Sequence, residues 1–160
     1  CVTGDLGASH LGLMALERDH RPGSLTKRHL EPVARLDWGL LIGQFATSMM
    51  DVTDGLGQEI KKIATASNVG ARVTLEDVPI APEARAFAAR LQLDPLDAAM
   101  RGGEDLELLF TIKNTDLEEL RRVFDCFSVI GEITDASEGL SFLDGEGRNH
   151  DYSHGFDHFG

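Results

Sequence analysis

Thr47-Ser48-Met49-Met50-Asp51-Val52-Thr53-Asp54-Gly55-Leu56 reads as an apolar approach, an acidic turn and the start of a helix. Beyond it Leu56, Ile60, Ile63 and Ala64 recur at four- and three-residue steps, which marks one buried helix face. Two carboxylates three positions apart across a helix start can point to one side. At about 5 Å and an effective dielectric near 20 they repel by roughly 3 kcal/mol, a cost that a divalent cation turns into attraction. Mg²⁺ suits such a corner, because it takes one or two carboxylates and completes its shell with substrate phosphates and water. The plainer reading, that Asp or Thr merely caps the helix and Gly55 relieves the turn, fits the stretch equally well.

Towards the C-terminus, Asn68-Val69-Gly70 is a helix stop, Ala71 to Leu75 alternates as a strand, and Pro82 to Leu91 reads as a helix with Pro in its first turn. Gly102-Gly103-Glu104-Asp105 is a sharp turn before a strand from Leu106 to Ile112. It is either a ligand-facing turn or a solvated acidic one. A helix over 115–124, a strand over 127–130 and another over 140–143 follow, then a polar, Gly-rich tail. Its spaced histidines, His150, His154 and His158, lack the firm spacing of a zinc site.

Towards the N-terminus, Val2-Thr3 reads as the end of a strand, which predicts that the chain is the C-terminal piece of something longer. Gly4-Asp5-Leu6-Gly7-Ala8-Ser9 is a turn before a helix that Ser9 would cap. It matches no Walker or GxGxxG pattern, so a structural turn is the expectation. Arg21 to Ser24 reads as a loop, Thr26 to Leu30 as a helix that Pro32 interrupts, and Leu36 to Ala46 as a buried helix. Helices alternating with strands predict an α+β (or α/β) domain, a mixed β-sheet with helices packed on it.

The chain has 160 residues, 42% of them hydrophobic, with 15 Lys and Arg against 27 Asp and Glu, a net charge of −12. That is enough apolar content for one real core and argues against a disordered acidic tail. The charge argues against a nucleic-acid partner, and no apolar run approaches the length of a membrane helix. Two cysteines without CxxC spacing suggest no disulfide framework and a cytoplasmic setting.

Five motifs in one order carry a family resemblance: Val2-Thr3-Gly4…Leu6-Gly7…Ser9…Gly12-Leu13, Arg28-His29-Leu30…Pro32, Asp51 to Leu56, Gly102-Gly103-Glu104-Asp105…Glu107-Leu108, and Gly155-Phe156-Asp157-His158-Phe159. Together they resemble the C-terminal half of the thiamine-monophosphate kinases. The wider superfamily includes aminoimidazole ribonucleotide synthetase, whose C-terminal domain gives the expected fold. Selenophosphate synthetase and a hydrogenase-maturation protein also belong to it. Thr53 stands where the family usually has Ser, Leu106 where Tyr is common, and Ala34 where Pro is frequent.

The resemblance implies Mg²⁺-dependent transfer of the γ-phosphoryl group of ATP to thiamine monophosphate, giving thiamine diphosphate. It implies Asp51 and Asp54 as Mg²⁺ ligands, Thr53 at the nucleotide phosphates, Glu104 on the thiamine substrate and Phe156 against its ring system. Residues 1–160 would then be the C-terminal domain. A missing N-terminal domain would supply the other metal and ATP contacts and a homodimer interface. The chain alone is expected to fold without catalysing. A synthetase of the same superfamily, or a non-catalytic module keeping the fold, are the alternatives.

Overall fold

Short apolar runs whose side chains alternate between two buried surfaces organise the molecule, here a computed structural model that describes residues 1–18 and 23–152. In chain order the strands are β1 (Val2–Thr3), β2 (Ala46–Asp51), β3 (Gly70–Thr74), β4 (Leu108–Ile112), β5 (Phe127–Ser128), β6 (Gly131–Thr134), β7 (Leu140–Leu143) and β8 (Asn149–His150). The helices are α1 (Ala8–Glu17), α2 (Gly23–Leu30), α3 (Leu36–Ile42), α4 (Leu56–Ser67), α5 (Pro82–Leu91), α6 (Pro95–Arg101) and α7 (Asn114–Val123).

The fold class is α+β, but the expected single sheet is two. The first, in the order β2-β4-β1-β5, is antiparallel throughout, whereas the second, β6-β3-β7-β8, joins β3 and β7 in parallel. The sequence hides the division inside one apolar run. Phe127 pairs with Thr3 in the first sheet, and four residues later Gly131 pairs with Val73 in the second. Phe127 and Ile130 are both buried just before the switch, while β6 itself is largely exposed, so hydrophobicity does not mark where the chain changes sheet.

Strand β4 shows the alternation most clearly. Leu109 faces a core shared with Leu6, Leu11, Leu56 and Ile60, while Phe110 faces a smaller one with Ile42, Leu120 and Phe127. Leu56, Ile60, Ile63 and Ala64 turn inward along α4 as their spacing predicts, and Asn68 ends it in the left-handed conformation at φ 53°.

Other boundaries moved. The helix expected over 36–46 stops at Ile42, because Ala46 already pairs with Ile112 and the residues to Asp51 form β2. Gly23 and Ser24 belong to α2 rather than to a loop, and α6 was not anticipated. Its signals were present: Asp94 accepts a hydrogen bond from the Leu96 N–H at 2.9 Å, and Pro95 occupies the first turn. Among the described residues no helix is long and apolar enough to cross a membrane.

Candidate functional site

The acidic turn at 51–54 and the Gly-Gly-Glu-Asp turn at 102–105 lie side by side, although fifty residues separate them. Where β2 and β4 end, their pairing continues: the Val52 N–H donates to Glu107 O at 2.8 Å, Leu106 N–H to Val52 O at 3.1 Å, and Glu104 N–H to Thr53 O at 3.0 Å. Gly103 makes the approach possible, since a Cβ there would collide with the Thr53 carbonyl oxygen. Gly55 makes the turn into α4 at φ 99°, with Met100 O and Arg101 closing over it.

Asp51, Thr53, Asp54 and Glu104 are thus brought to one corner. Asp51 is exposed at the end of β2, Thr53 and Asp54 are half-buried, and Glu104 projects to solvent. Glu104 and Leu106 both have positive φ, 68° and 54°, where a side chain costs roughly 1–2 kcal/mol. Such strain gathers at functional turns. Phe156 lies outside the described residues, as do His20, His154 and His158. The described chain ends at Tyr152, whose ring is buried and whose backbone packs on Gly57 in the first turn of α4.

Beneath the corner sits a residue the sequence reading passed over. Glu59 is fully buried. Its Oε1 accepts from the Asp54 N–H at 2.9 Å, from Thr53 Oγ1 at 3.2 Å and from Lys62 Nζ at 3.0 Å. Lys62 also pairs with Asp54 Oδ2 at 2.6 Å. Burial alone would lower the Lys62 ammonium, but its hydrogen bonds to Asp54 and Glu59 outweigh that and raise it. A carboxylate on the apolar face of α4, between Leu56 and Ile60, was the signal available.

A second buried network braces the corner from behind. Fully buried Glu107 accepts from Thr3 Oγ1 at 2.7 Å and from the Arg35 guanidinium, whose Nη2 is 2.6 Å away. Arg28 pairs with Asp5 at 2.9 Å. Asp105 replaces Ser9 as the cap of α1: its carboxylate accepts from the Gly7 N–H at 2.8 Å and the Ser9 N–H at 3.1 Å. A helix start capped by another segment cannot be read from local sequence. Burial pushes the Asp105 carboxyl up to about 6 against the pull of those two N–H groups and Arg28. The Gly4–Ser9 turn is therefore structural, as expected. His29 shares a hydrogen bond with Ser9 Oγ at 3.1 Å, and His10, beside Gly102, is pushed down by burial above all.

The corner's donors are hard oxygens, the kind a divalent cation takes, while the Lys62 ammonium is paired with Asp54 Oδ2 at 2.6 Å and with Glu59. The corner is not a complete cage. Among the described residues no group of three or more His, Cys, Asp or Glu side chains is arranged to hold a metal, so a bound ion needs ligands from phosphate, water or another part of the protein. A cavity of about 290 Å³ lies elsewhere, between the two sheets against Ile60, Ile63, Leu109 and Ile130, and none of the candidate residues lines it.

Residues 3–142 match the family described as AIR synthase related protein, C-terminal domain. The chain belongs to that family. Among curated relatives of this AIR-synthase-related domain, a thiamine-monophosphate kinase from Pyrococcus abyssi is 36% identical over 83% of the chain and 41% of its own length. The thiamine-monophosphate kinase of Escherichia coli strain K12 is 35% identical over 99% of the chain and 51% of its own length. A solved structure described as AaThiL complexed with AMPPCP and TMP superposes on 99% of the chain and 50% of its own, with a TM-score of 0.84 at 29% identity. The domain spans about half the length of the relatives it matches.

Proposed function

We propose that this chain is the C-terminal half of a thiamine-monophosphate kinase that transfers the γ-phosphoryl group of ATP to thiamine monophosphate, giving thiamine diphosphate. One observation carries the reading: the acidic turn and the Gly-Gly-Glu-Asp turn are hydrogen-bonded into one corner, in a domain whose curated relatives bear that name and whose fold follows a protein described as complexed with AMPPCP and TMP.

Phosphoryl transfer asks a protein for positioning and charge neutralisation rather than a covalent intermediate. A Mg²⁺ ion, when bound, neutralises charge on the phosphoryl oxygens. In this proposal Asp51 and Asp54 hold the ion, and Thr53 sits at the nucleotide phosphates. Glu104 offers a carboxylate to the cationic thiamine. Phe156 offers it an aromatic face. Glu59 fixes the backbone of the acidic turn through the Asp54 N–H, so Asp54 is oriented before any ligand arrives. A chain of net charge −12 engages polyphosphate through cations rather than by its own basic groups. The remaining metal and nucleotide contacts, and a homodimer interface, belong to the other half of the full-length protein.

Substrate profiling of the full-length protein tests this reading. With ATP and Mg²⁺, thiamine monophosphate should be converted to thiamine diphosphate while aminoimidazole precursors are left untouched. Turnover of an aminoimidazole precursor instead would identify a synthetase of the same superfamily.

A further inference from the structure

We infer that Gly57, Arg101 and Tyr152 form a clasp that docks the C-terminal segment on the first turn of α4 and so sets where Phe156 meets thiamine. The inference rests on the kinase reading and names the residues that position one of its substrates. Gly57 lies three residues beyond Asp54, in the helix that leaves the acidic turn. A Cβ on it would run into the Tyr152 carbonyl oxygen, so the backbone of the segment rests directly on the helix there. The Tyr152 ring is buried edge-on against Phe142, with centroids 5.9 Å apart.

Arg101 closes the clasp from the side. Its guanidinium carbon lies 5.0 Å from the centre of the Tyr152 ring, and its Nη2 donates to the Asp151 carbonyl oxygen at 2.7 Å. Asp97, one turn earlier in α6, accepts from its Nε at 2.8 Å and steadies the side chain in that pose. The Arg101 backbone packs over Gly55 and leads into the Gly-Gly-Glu-Asp turn. One residue thus ties the segment to both turns of the corner. Residues 144–151 carry no large apolar side chain, so Tyr152 is the first apolar anchor after β7. An extended chain spans at most about 3.6 Å per residue, so Phe156, four positions on, stays within about 14 Å of that anchor. Arg101, Tyr152 and Gly57 are then positioning residues that act through Phe156.

Steady-state kinetics of the full-length enzyme, with each substrate varied in turn, tests the clasp. Misplacing a contact group by about 1 Å can cost about 10²-fold. Tyr152→Ala should therefore lower kcat/KM for thiamine monophosphate about 10–100-fold, through KM, and leave the KM for ATP near wild type. Tyr152→Phe, which keeps the ring, should restore the lost affinity. Gly57→Ala is the second probe should the tyrosine variant melt early. Alanine favours the helix but displaces the Tyr152 backbone, so the KM for thiamine monophosphate should rise while that for ATP holds. In a Phe156→Ala background, Tyr152→Ala should cost little further, because the clasp acts through that ring. KM values for both substrates rising together, or losses that add fully to those of Phe156→Ala, would overturn the inference and leave Tyr152 a core residue alone. A wild-type enzyme that phosphorylates no thiamine monophosphate would remove the kinase reading first, and this inference with it.

Discussion

Asp105 caps α1 from a distance of nearly a hundred residues, and burial raises its carboxyl from 3.8 to about 6. The folded protein therefore keeps a proton there that the unfolded chain releases. Stability from this group is fully present below about pH 4 and is lost as pH rises towards 6, by about 3 kcal/mol for a shift of this size. Asp105→Asn should remove that slope. Urea midpoints taken at pH 4 and pH 6 should move in the variant's favour at the higher pH, and equal displacement at both would contradict the assignment. Glu104 makes the opposite kind of test. Its side chain is exposed on a left-handed backbone at φ 68°, so Glu104→Gly should stabilise the fold by about 1 kcal/mol while raising the KM for thiamine monophosphate in the full-length enzyme. A melting temperature no higher than wild type would remove the strain argument. At this scale the spacing in sequence was a partial guide. Asp51, Thr53, Asp54 and Glu104 stood out as carboxylates and a hydroxyl at turns. Glu59 was signalled only by its place on the apolar face of α4, and the roles of Glu107 and Asp105 stay hidden until burial and their long-range partners are known.

Elements meet at the corner because paired strands overrun their ends. The β2–β4 ladder carries past Asp51 and Leu108 into the two turns, and Arg35, just before α3, grips Glu107 from the side. Removing one partner of a buried pair leaves the other uncompensated. Arg35 is a quarter exposed, so Arg35→Ala should cost about 2–3 kcal/mol in denaturant unfolding, below the value for a fully buried pair. The double variant with Glu107→Gln should recover part of that loss, and strictly additive losses would show that the two do not act as a pair. Individual elements were legible where a period or a stop signal was local, as in α4 with its four inward residues and Asn68 stop, or α5 beginning at Pro82. The change of sheet between Phe127 and Gly131 was not, because pairing partners are a property of the whole chain.

For the molecule as a whole, a domain matching about half of each relative's length carries one wall of the proposed site. The 160-residue chain alone should fold cooperatively yet form no thiamine diphosphate from ATP and thiamine monophosphate. Turnover by the isolated chain would show that the other half is dispensable. The motif order from Val2 to Glu107 made the domain's family visible before its fold was known. The two-sheet architecture beneath that order followed only from the pairing. The proposed function rests on the corner where the acidic turn meets Glu104, and its chemistry is tested most directly by thiamine diphosphate formation at saturating Mg²⁺ in full-length wild type and Asp54→Asn. Loss of a group that holds charge in the transition state costs about 10²–10³ in kcat, and the variant should fall by that order with its melting temperature nearly unchanged. An Asp54→Asn enzyme with undiminished kcat would contradict the account.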